Sequence, residues 1–169
     1  MQRVSSPCST TASAELERIE CHVATAPADL AAHFALRNRI FVDEQRLFAL
    51  DDRDEHDDDE RTLHVVGLVD DDVCGAVRLY PLDAAAELWK GDRLAVAPER
   101  RANHLGARLV RFAVATAGRL GGRRMIAHIQ LPNVPFFEHL GWRPEGELEL
   151  FVGVPHQLMS IRLGPGRET

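Results

Sequence analysis

The chain lacks the features that mark several common protein classes. Its three cysteines, Cys8, Cys21 and Cys74, form an odd set without CxxC spacing, which argues against a disulfide framework and for a reducing compartment. No run approaches the roughly 20 apolar residues of a membrane helix, and the polar amino-terminal stretch lacks the apolar core of a signal peptide. We therefore predict a cytoplasmic protein with no membrane partner.

Basic residues are outnumbered. The chain has 26 acidic residues against 20 Lys and Arg, a formal net charge of −6, whereas a general nucleic-acid binder normally has a basic footprint. With 45% apolar and 27% charged residues in 169, the composition is that of an ordinary globular protein of one domain. We predict no nucleic-acid partner, a disordered lead-in over residues 1–18, and one domain over residues 19–165.

The apolar pattern predicts alternating strands and helices. Strand-like alternation at residues 19–24 precedes a helical pattern that starts near Pro27, and two β-branched runs then flank an Asp-rich turn, which indicates an antiparallel hairpin. A third strand, a helix over 102–120, a strand, a short helix ended by Gly141 and a final strand pair complete the order. This order predicts an α/β (α+β) arrangement around one sheet.

Residues 93–108, RLAVAPERRANHLGAR, place a strand before a turn and a long helix. The first backbone N–H groups of a helix lack intrahelical partners, and the helix dipole makes that end electropositive. Small residues such as Gly106 let an anion approach those amides, and Arg100 and Arg101 add charge-assisted bonds. The segment is therefore a candidate diphosphate site; the alternative is an ordinary connection with two solvated arginines.

The same stretch resembles the central motif of the GCN5-related N-acetyltransferase (GNAT) superfamily. Arg101, Gly106 and Ala107 stand at matching places, and His104 occupies the first glycine position of that motif. FFEHLGW at 136–142 resembles a second motif of the superfamily. The resemblance covers about residues 19–163 and implies the acyl-CoA N-acyltransferase fold, a single mixed, mostly antiparallel sheet flanked by helices.

The resemblance implies acyl transfer from acetyl-CoA, as cosubstrate and without a metal, to the amine of a small molecule or peptide in a ternary complex. It places the diphosphate on the turn and pairs the pantetheine arm with the preceding strand, where a backbone N–H near Leu94 would polarise the thioester carbonyl. A homodimer is compatible with it. The implied donor-binding residues are Leu94, Ala95, Val96, Arg101, Ala102, Asn103, His104, Leu105, Gly106, Ala107, Phe136 and Phe137.

An alkyl amine with a pKa of ~10 must lose a proton before it attacks, so a carboxylate or imidazole is expected as general base. Glu44, at the end of the first helical region, is the first candidate, followed by His128 and His156. Phe137 stands where many relatives of the superfamily have a tyrosine beside the sulfur. Water or another group would then protonate the thiolate, or the protein works without an acid or as a weak catalyst.

Eight of the ten residues from 51 to 60 are acidic, and we refer to this segment as the acidic block. A like-charge block is expected to stay solvated. It lacks the glycine and the terminal ligand of an EF-hand loop, so we predict no metal there. Two interpretations stay open, namely steering of a cationic amine toward the acceptor pocket and a solvated loop that aids solubility.

Two alternative functions also remain. Arg37, Phe41, the acidic block and the strand GAVRLYPLD resemble features of acyl-homoserine-lactone synthases, which share the acyltransferase core. That resemblance implies a longer acyl donor on a carrier protein. The other alternative is a non-catalytic acyl-CoA-binding module, in keeping with Phe137 in the tyrosine position.

Overall fold

A mixed sheet of seven strands in the order β1-β2-β3-β4-β5-β7-β6 organises the chain. The computed structural model describes residues 16–165. All neighbouring strands are antiparallel except β4 and β5, which are parallel. The strands are β1 Ile19–Val23, β2 Leu63–Val69, β3 Asp72–Pro81, β4 Leu88–Val96, β5 Arg124–Gln130, β6 Arg143–Phe151 and β7 Val154–Arg162. The predicted sheet and its order of elements are confirmed.

Three α-helices flank the sheet: α1 Pro27–Asn38, α2 Leu105–Arg119 and α3 Val134–His139. Helix α1 continues into a π-helical segment, Arg39–Glu44, a wider form of helix that is frequent at functional sites. None of the helices within residues 16–165 is long and apolar enough to cross a membrane. The predicted lead-in lies outside the described residues except at 16–18, where Arg18 already donates its backbone N–H to Asp70 Oδ1 at 2.9 Å.

The two faces of β3 carry different partners. A Cβ added at Gly75 would lie 2.5 Å from Leu109 Cδ1, so α2 packs directly on the backbone there. Arg78 is three residues further along the strand, and an odd separation puts its side chain on the opposite face, where it meets the acidic block that follows α1. The sheet thus separates a hydrophobic layer under α2 from a charged layer on the α1 side.

Candidate functional site

A slot opens between β4 and β5. The strands are paired only at Leu88–Arg124, Trp89–Met125 and Lys90–Ile126 and then diverge. A cavity of about 240 Å³ occupies the gap. Consecutive residues of β5 line it, although alternate side chains point to opposite faces of a sheet, so the cavity passes through the sheet. Its lining includes the apolar residues Val77, Val110, Ala113, Met125, Phe137 and Trp142 and the polar residues Lys90, Asp92, Arg93, His128, Gln130, Glu149 and His156.

Strand β4 has a bulge beside this slot. Ala95 pairs with Ala76 and Asp92 with Arg78, so Arg93 and Leu94 together face one residue of β3. Arg93 has φ +54, a left-handed conformation that a residue with a Cβ rarely adopts. Such a bulge re-aims backbone and side-chain groups, here next to Leu94, Ala95 and Val96, the residues expected to pair with the pantetheine arm.

The predicted diphosphate turn lies at the end of the same strand. Residues 101–104 form an exposed turn, and α2 begins at Leu105 rather than at the predicted residue 102. His104 is the left-handed N-cap, with φ +65 and no side-chain cap. The glycine that it replaces in the family motif would adopt this conformation without steric cost, whereas a side chain here costs about 1 kcal/mol. The first amides of α2, which lack intrahelical partners, follow directly on this turn.

Three arginines around this turn have glutamate partners. Arg101 donates from Nη2 to Glu44 Oε1 at 2.6 Å and from Nε to the Val96 carbonyl at 3.3 Å. Arg100 bonds Glu17 at 2.5 Å. A similar pair joins Arg39 to Glu99 at 3.0 Å, and its two hydrogen bonds hold the pKa of Glu99 below the usual range. These pairs are largely exposed.

The three candidate bases fall in two places. Glu44 lies at the turn, paired with Arg101, and does not line the cavity. Its neighbour Gln45 reaches the cavity wall, where its Oε1 accepts from Gln130 Nε2 at 3.0 Å. The structure therefore brings His128 and His156 together in the cavity wall and keeps Glu44 with the expected diphosphate site.

Hydrogen bonds set the orientation of both histidines. His156 is 4% exposed, and its Nδ1 is 2.7 Å from the Val154 carbonyl. A carbonyl only accepts, so Nδ1 carries the proton and Nε2 of the neutral ring has the lone pair. His128 Nε2 is 2.9 Å from Glu149 Oε2, and by the same reasoning Nε2 donates to the carboxylate and Nδ1 is the acceptor nitrogen.

The prediction that the acidic block stays solvated is wrong for Asp52 and Asp57, which are buried, and a third aspartate, Asp54, is partly buried. Arg37 in α1 is fully buried and donates to Asp52 Oδ2 at 2.8 Å and to both carboxylate oxygens of Asp57 at 2.7 and 3.0 Å. Arg78 in β3, also fully buried, bonds Asp54 at 2.6 and 3.0 Å. The like-charge argument failed because α1 and β3 supply cations that lie far away in the sequence.

This buried ion network, defined as Arg37, Arg78, Arg93, Asp52, Asp54, Asp57 and Asp92, reaches the slot through its last members. Arg78 holds Asp92 with two bonds of 2.7 Å. Arg93 donates to the Asp52 carbonyl at 3.0 Å and to Asp54 Oδ2 at 3.3 Å. The start of the β4 bulge, Asp92 and Arg93, is therefore anchored to the acidic block, directly through Arg93 and by way of Arg78.

Protonation states follow from this packing. Burial opposes ionisation of Asp57, but hydrogen bonds from Arg37 and from the Asp54 backbone N–H outweigh it and hold its pKa well below the usual range. Burial, followed by the charge of Arg37, lowers the pKa of His33 to about 3. That ring is fully buried and sits 3.0 Å from the Val65 carbonyl. The network thus favours the ionised form of Asp57 next to a neutral histidine.

Sequence reasoning did not identify the network, although a signal existed. Arg37 and Arg78 interrupt apolar patterns in a helix and a strand, and a charge on a buried face needs a partner. No group of three or more His, Cys, Asp or Glu side chains within residues 16–165 is arranged to hold a metal ion.

The model of the acetyltransferase (GNAT) family matches residues 18–142. The chain belongs to this family. Because the family is one of acetyltransferases, this GNAT protein is an acyltransferase. The family implies no particular acceptor.

Solved structures support the fold. Escherichia coli ElaA matches with TM-score 0.74 at 22% identity, over 86% of this chain and 99% of that one. An acyl-CoA N-acyltransferase from Pseudomonas aeruginosa matches with TM-score 0.72 at 22% identity, over 85% and 98%. BjaI, a CoA-dependent acyl-homoserine lactone synthase solved with SAM and isopentyl-CoA, matches with TM-score 0.71 at 22% identity, over 87% and 83%.

Proposed function

We propose that the protein transfers an acetyl or other acyl group from acyl-CoA to the amine of a small molecule or peptide, by direct attack while both substrates are bound. The observation that carries this proposal is the slot between β4 and β5. Its lining runs from Leu94 of β4 and Val110 of α2 to a wall that holds His128 and His156. Donor and acceptor sites would then meet inside one cavity.

The residues at the turn suit the donor. Arg101 and Ala102 are exposed, and Gly106, where a Cβ would be in ordinary contact with Phe136 and Val96 at 3.7 Å, leaves room for a ligand beside the first amides of α2. An anionic diphosphate would compete with Glu44 for Arg101. The edge of β4 from Leu94 to Val96 would pair with the pantetheine arm, and Phe136, which is 38% exposed, would cover it.

His156 and His128 support the role of general base better than Glu44 does. Each histidine lines the cavity with one ring nitrogen fixed by a hydrogen bond, and the other nitrogen is left to accept a proton from the attacking amine. The position of Glu44 supports a role in holding Arg101 before the donor arrives. The donor supplies an activated thioester, and Phe137, buried against Trp142 with ring centroids 5.4 Å apart, offers no acid for the thiolate.

A screen of amines against acetyl-CoA with detection of the released thiol tests the proposal. We expect thiol release that depends on both substrates. We also expect His156→Gln or His128→Gln to lower kcat by about 10²- to 10⁴-fold, the usual share of general-base catalysis, with unchanged donor affinity. His22→Gln is the matched control, because His22 pairs with Asp29 away from the cavity. Heat of CoA binding without transfer to any amine would instead favour the non-catalytic module.

A second candidate, transfer of a longer acyl group, is favoured by the apolar end of the cavity. Val110 and Ala113 of α2 reach the cavity with Met125 and Trp142, beyond the space that an acetyl group needs. The BjaI structure holds isopentyl-CoA in the same fold. Isovaleryl-CoA and octanoyl-CoA should then give a higher kcat/KM than acetyl-CoA, and Ala113→Leu should reverse the order. Thermal stabilisation by acylated carrier protein but not by acyl-CoA would indicate the carrier-dependent reaction.

A further inference from the structure

The chain has a single lysine among its 20 basic Lys and Arg residues, and that lysine, Lys90, lines the cavity. Arginine is used at every other basic position. A lysine is a compact point charge on a flexible four-carbon stem, unlike the planar fork of arginine. Lys90 is therefore unusual in this protein in two ways: it carries the only ammonium side chain, and it lines the cavity.

The other charged groups of the cavity wall have partners. Asp92 accepts two bonds from Arg78, Arg93 is bonded to Asp52 and Asp54, and Glu149 is bonded to the His128 ring. Lys90 takes part in none of the ion pairs found within 4.0 Å among residues 16–165. The charge left over in the cavity is thus positive, although the protein as a whole is acidic.

Lys90 lies on the acceptor side of the sheet. It pairs across the sheet with Tyr80, whose hydroxyl is 3.4 Å from Asp92, so the two side chains share the face of the buried ion network. Its partner on β5 is Ile126, and His128 follows two residues later on the same face. Lys90 also precedes Leu94 by four residues, about 13 Å along an extended strand. Its long stem can reach toward a substrate held near the bulge.

We propose that Lys90 binds the carboxylate of the acceptor, and that the acceptor is therefore an amine that also carries a carboxylate, as amino acids do. The inference rests on the proposed acyl transfer. Phe48 and Phe151, with ring centroids 6.4 Å apart in the same wall, would pack against an apolar substituent. A polyamine fits less well, because the buried aspartates of the acidic block already bond arginines and are not left to bind a cationic substrate.

Matched acceptors test the assignment. With the donor saturating, kcat/KM is measured for L-phenylalanine and L-phenylalaninamide and for L-leucine and L-leucinamide, and the ratio of acid to amide is compared between enzyme forms. The acid and the amide differ in the basicity of their amines, but this difference is the same for every enzyme form and cancels when the ratios are compared. Lys90→Met should lower it about 10- to 100-fold, as expected for one lost bond between charged groups. Lys90→Arg should keep it within a few-fold. An unchanged ratio in Lys90→Met would overturn the inference.

A second measurement needs no turnover. Reductive methylation with ¹³C-formaldehyde keeps the positive charge and labels Lys90 and the chain amino terminus; the signal missing from Lys90→Arg identifies Lys90. In the presence of CoA, L-phenylalanine should shift that signal and L-phenylalaninamide should not, and equal shifts would contradict the assignment.

Two outcomes separate this inference from the proposed function. If the wild type releases thiol with amides and acids alike and Lys90→Met changes nothing, only the role of Lys90 fails. If no amine gives thiol release with any acyl-CoA, the acyl-transfer proposal itself fails. Mass spectrometry can also follow the enzyme with the donor alone. If Lys90 becomes acylated as fast as the enzyme turns over, Lys90 is itself the acceptor and the assignment is overturned.

Discussion

The protein uses arginine–carboxylate pairs in two settings that differ in burial. In the buried ion network, Arg37 and Arg78 have no exposed side-chain surface and Asp57 has none either. At the turn before α2, Arg101 and Glu44 keep 47% and 36% of their side-chain surface exposed at a similar distance of 2.6 Å. The contacts look alike, but their surroundings give them different energies.

Removal of one partner from a buried pair leaves an uncompensated charge and costs about 3–5 kcal/mol. An exposed pair contributes about 0–1 kcal/mol, so its replacement by another partner changes the stability little. The buried network therefore fixes the acidic block and the β4 bulge. The exposed pairs leave the turn arginines open to exchange of partners, as the proposed donor site requires.

The largest effect is expected from Arg78→Met. This change removes the cation that bonds Asp54 and Asp92 and also lies 3.0 Å from Asp57, so the free energy of unfolding should fall by about 3–5 kcal/mol. Urea denaturation measures it. Arg101→Met is the control at the exposed turn and should change stability by less than about 1 kcal/mol. Equal losses in the two variants would remove the distinction between the clusters.

The second largest effect is expected on the affinity for the acyl donor. Arg101→Met should weaken CoA binding about 10-fold or more through loss of a charge-assisted bond, as measured by calorimetry. Glu44→Gln frees Arg101 and should tighten CoA binding a few-fold with kcat unchanged. A 10²- to 10⁴-fold loss of kcat in Glu44→Gln would instead assign the general base to Glu44.

The buried layer should also make stability depend on pH. His33 has a pKa of about 3 in the folded protein against 6.5 as its ordinary value. The unfolded chain therefore binds one more proton between these limits, and stability falls as the pH drops from 6.5 toward 3, by up to about 1.4 kcal/mol per pH unit. His64, whose pKa burial also lowers, acts in the same direction. Urea denaturation of His33→Gln across this range should show a shallower slope, whereas His22→Gln should not.

The smallest effect is expected at the turn itself. His104→Gly relieves the left-handed conformation and should raise the free energy of unfolding by about 1 kcal/mol, measured by thermal and urea unfolding, without loss of CoA affinity. Ala102→Gly in the same turn has no such strain to relieve, because Ala102 is absent from the residues with positive φ. It should lower the free energy of unfolding by about 0.4–1 kcal/mol, because glycine gives the unfolded chain more conformational freedom. A stability gain of the same size in both variants would contradict the role of backbone strain.

Much of the fold could be predicted from local patterns. The hairpin followed from two β-branched runs around Asp70 and Asp71, and the structure places both residues at positive φ in its turn. The strand, turn and helix at 93–119 followed from apolar spacing, with the start of α2 three residues late because the turn of the motif occupies 101–104. These features depend on neighbours within a few residues.

The candidate site was only partly predictable. The strand, turn and helix that carry the predicted donor site could be located because their signals lie side by side in one segment. The pairing of His128 with Glu149, 21 residues away, could not, because periodicity gives the face of a residue but not the neighbour that a register sets opposite it. Lys90 gave no local signal either.

By itself the sequence determined the order of elements, the sheet class and the family motif, because these depend on side-chain periodicity and on turns of a few residues. Only the tertiary structure decided which acids of the block are buried and which charge remains free in the cavity. Arg93 meets Asp52 across 41 positions of chain. Contacts of this kind depend on where the strands lie in space. The same sequence of charges is compatible with many sets of ion pairs, and only the packing determines which of them form.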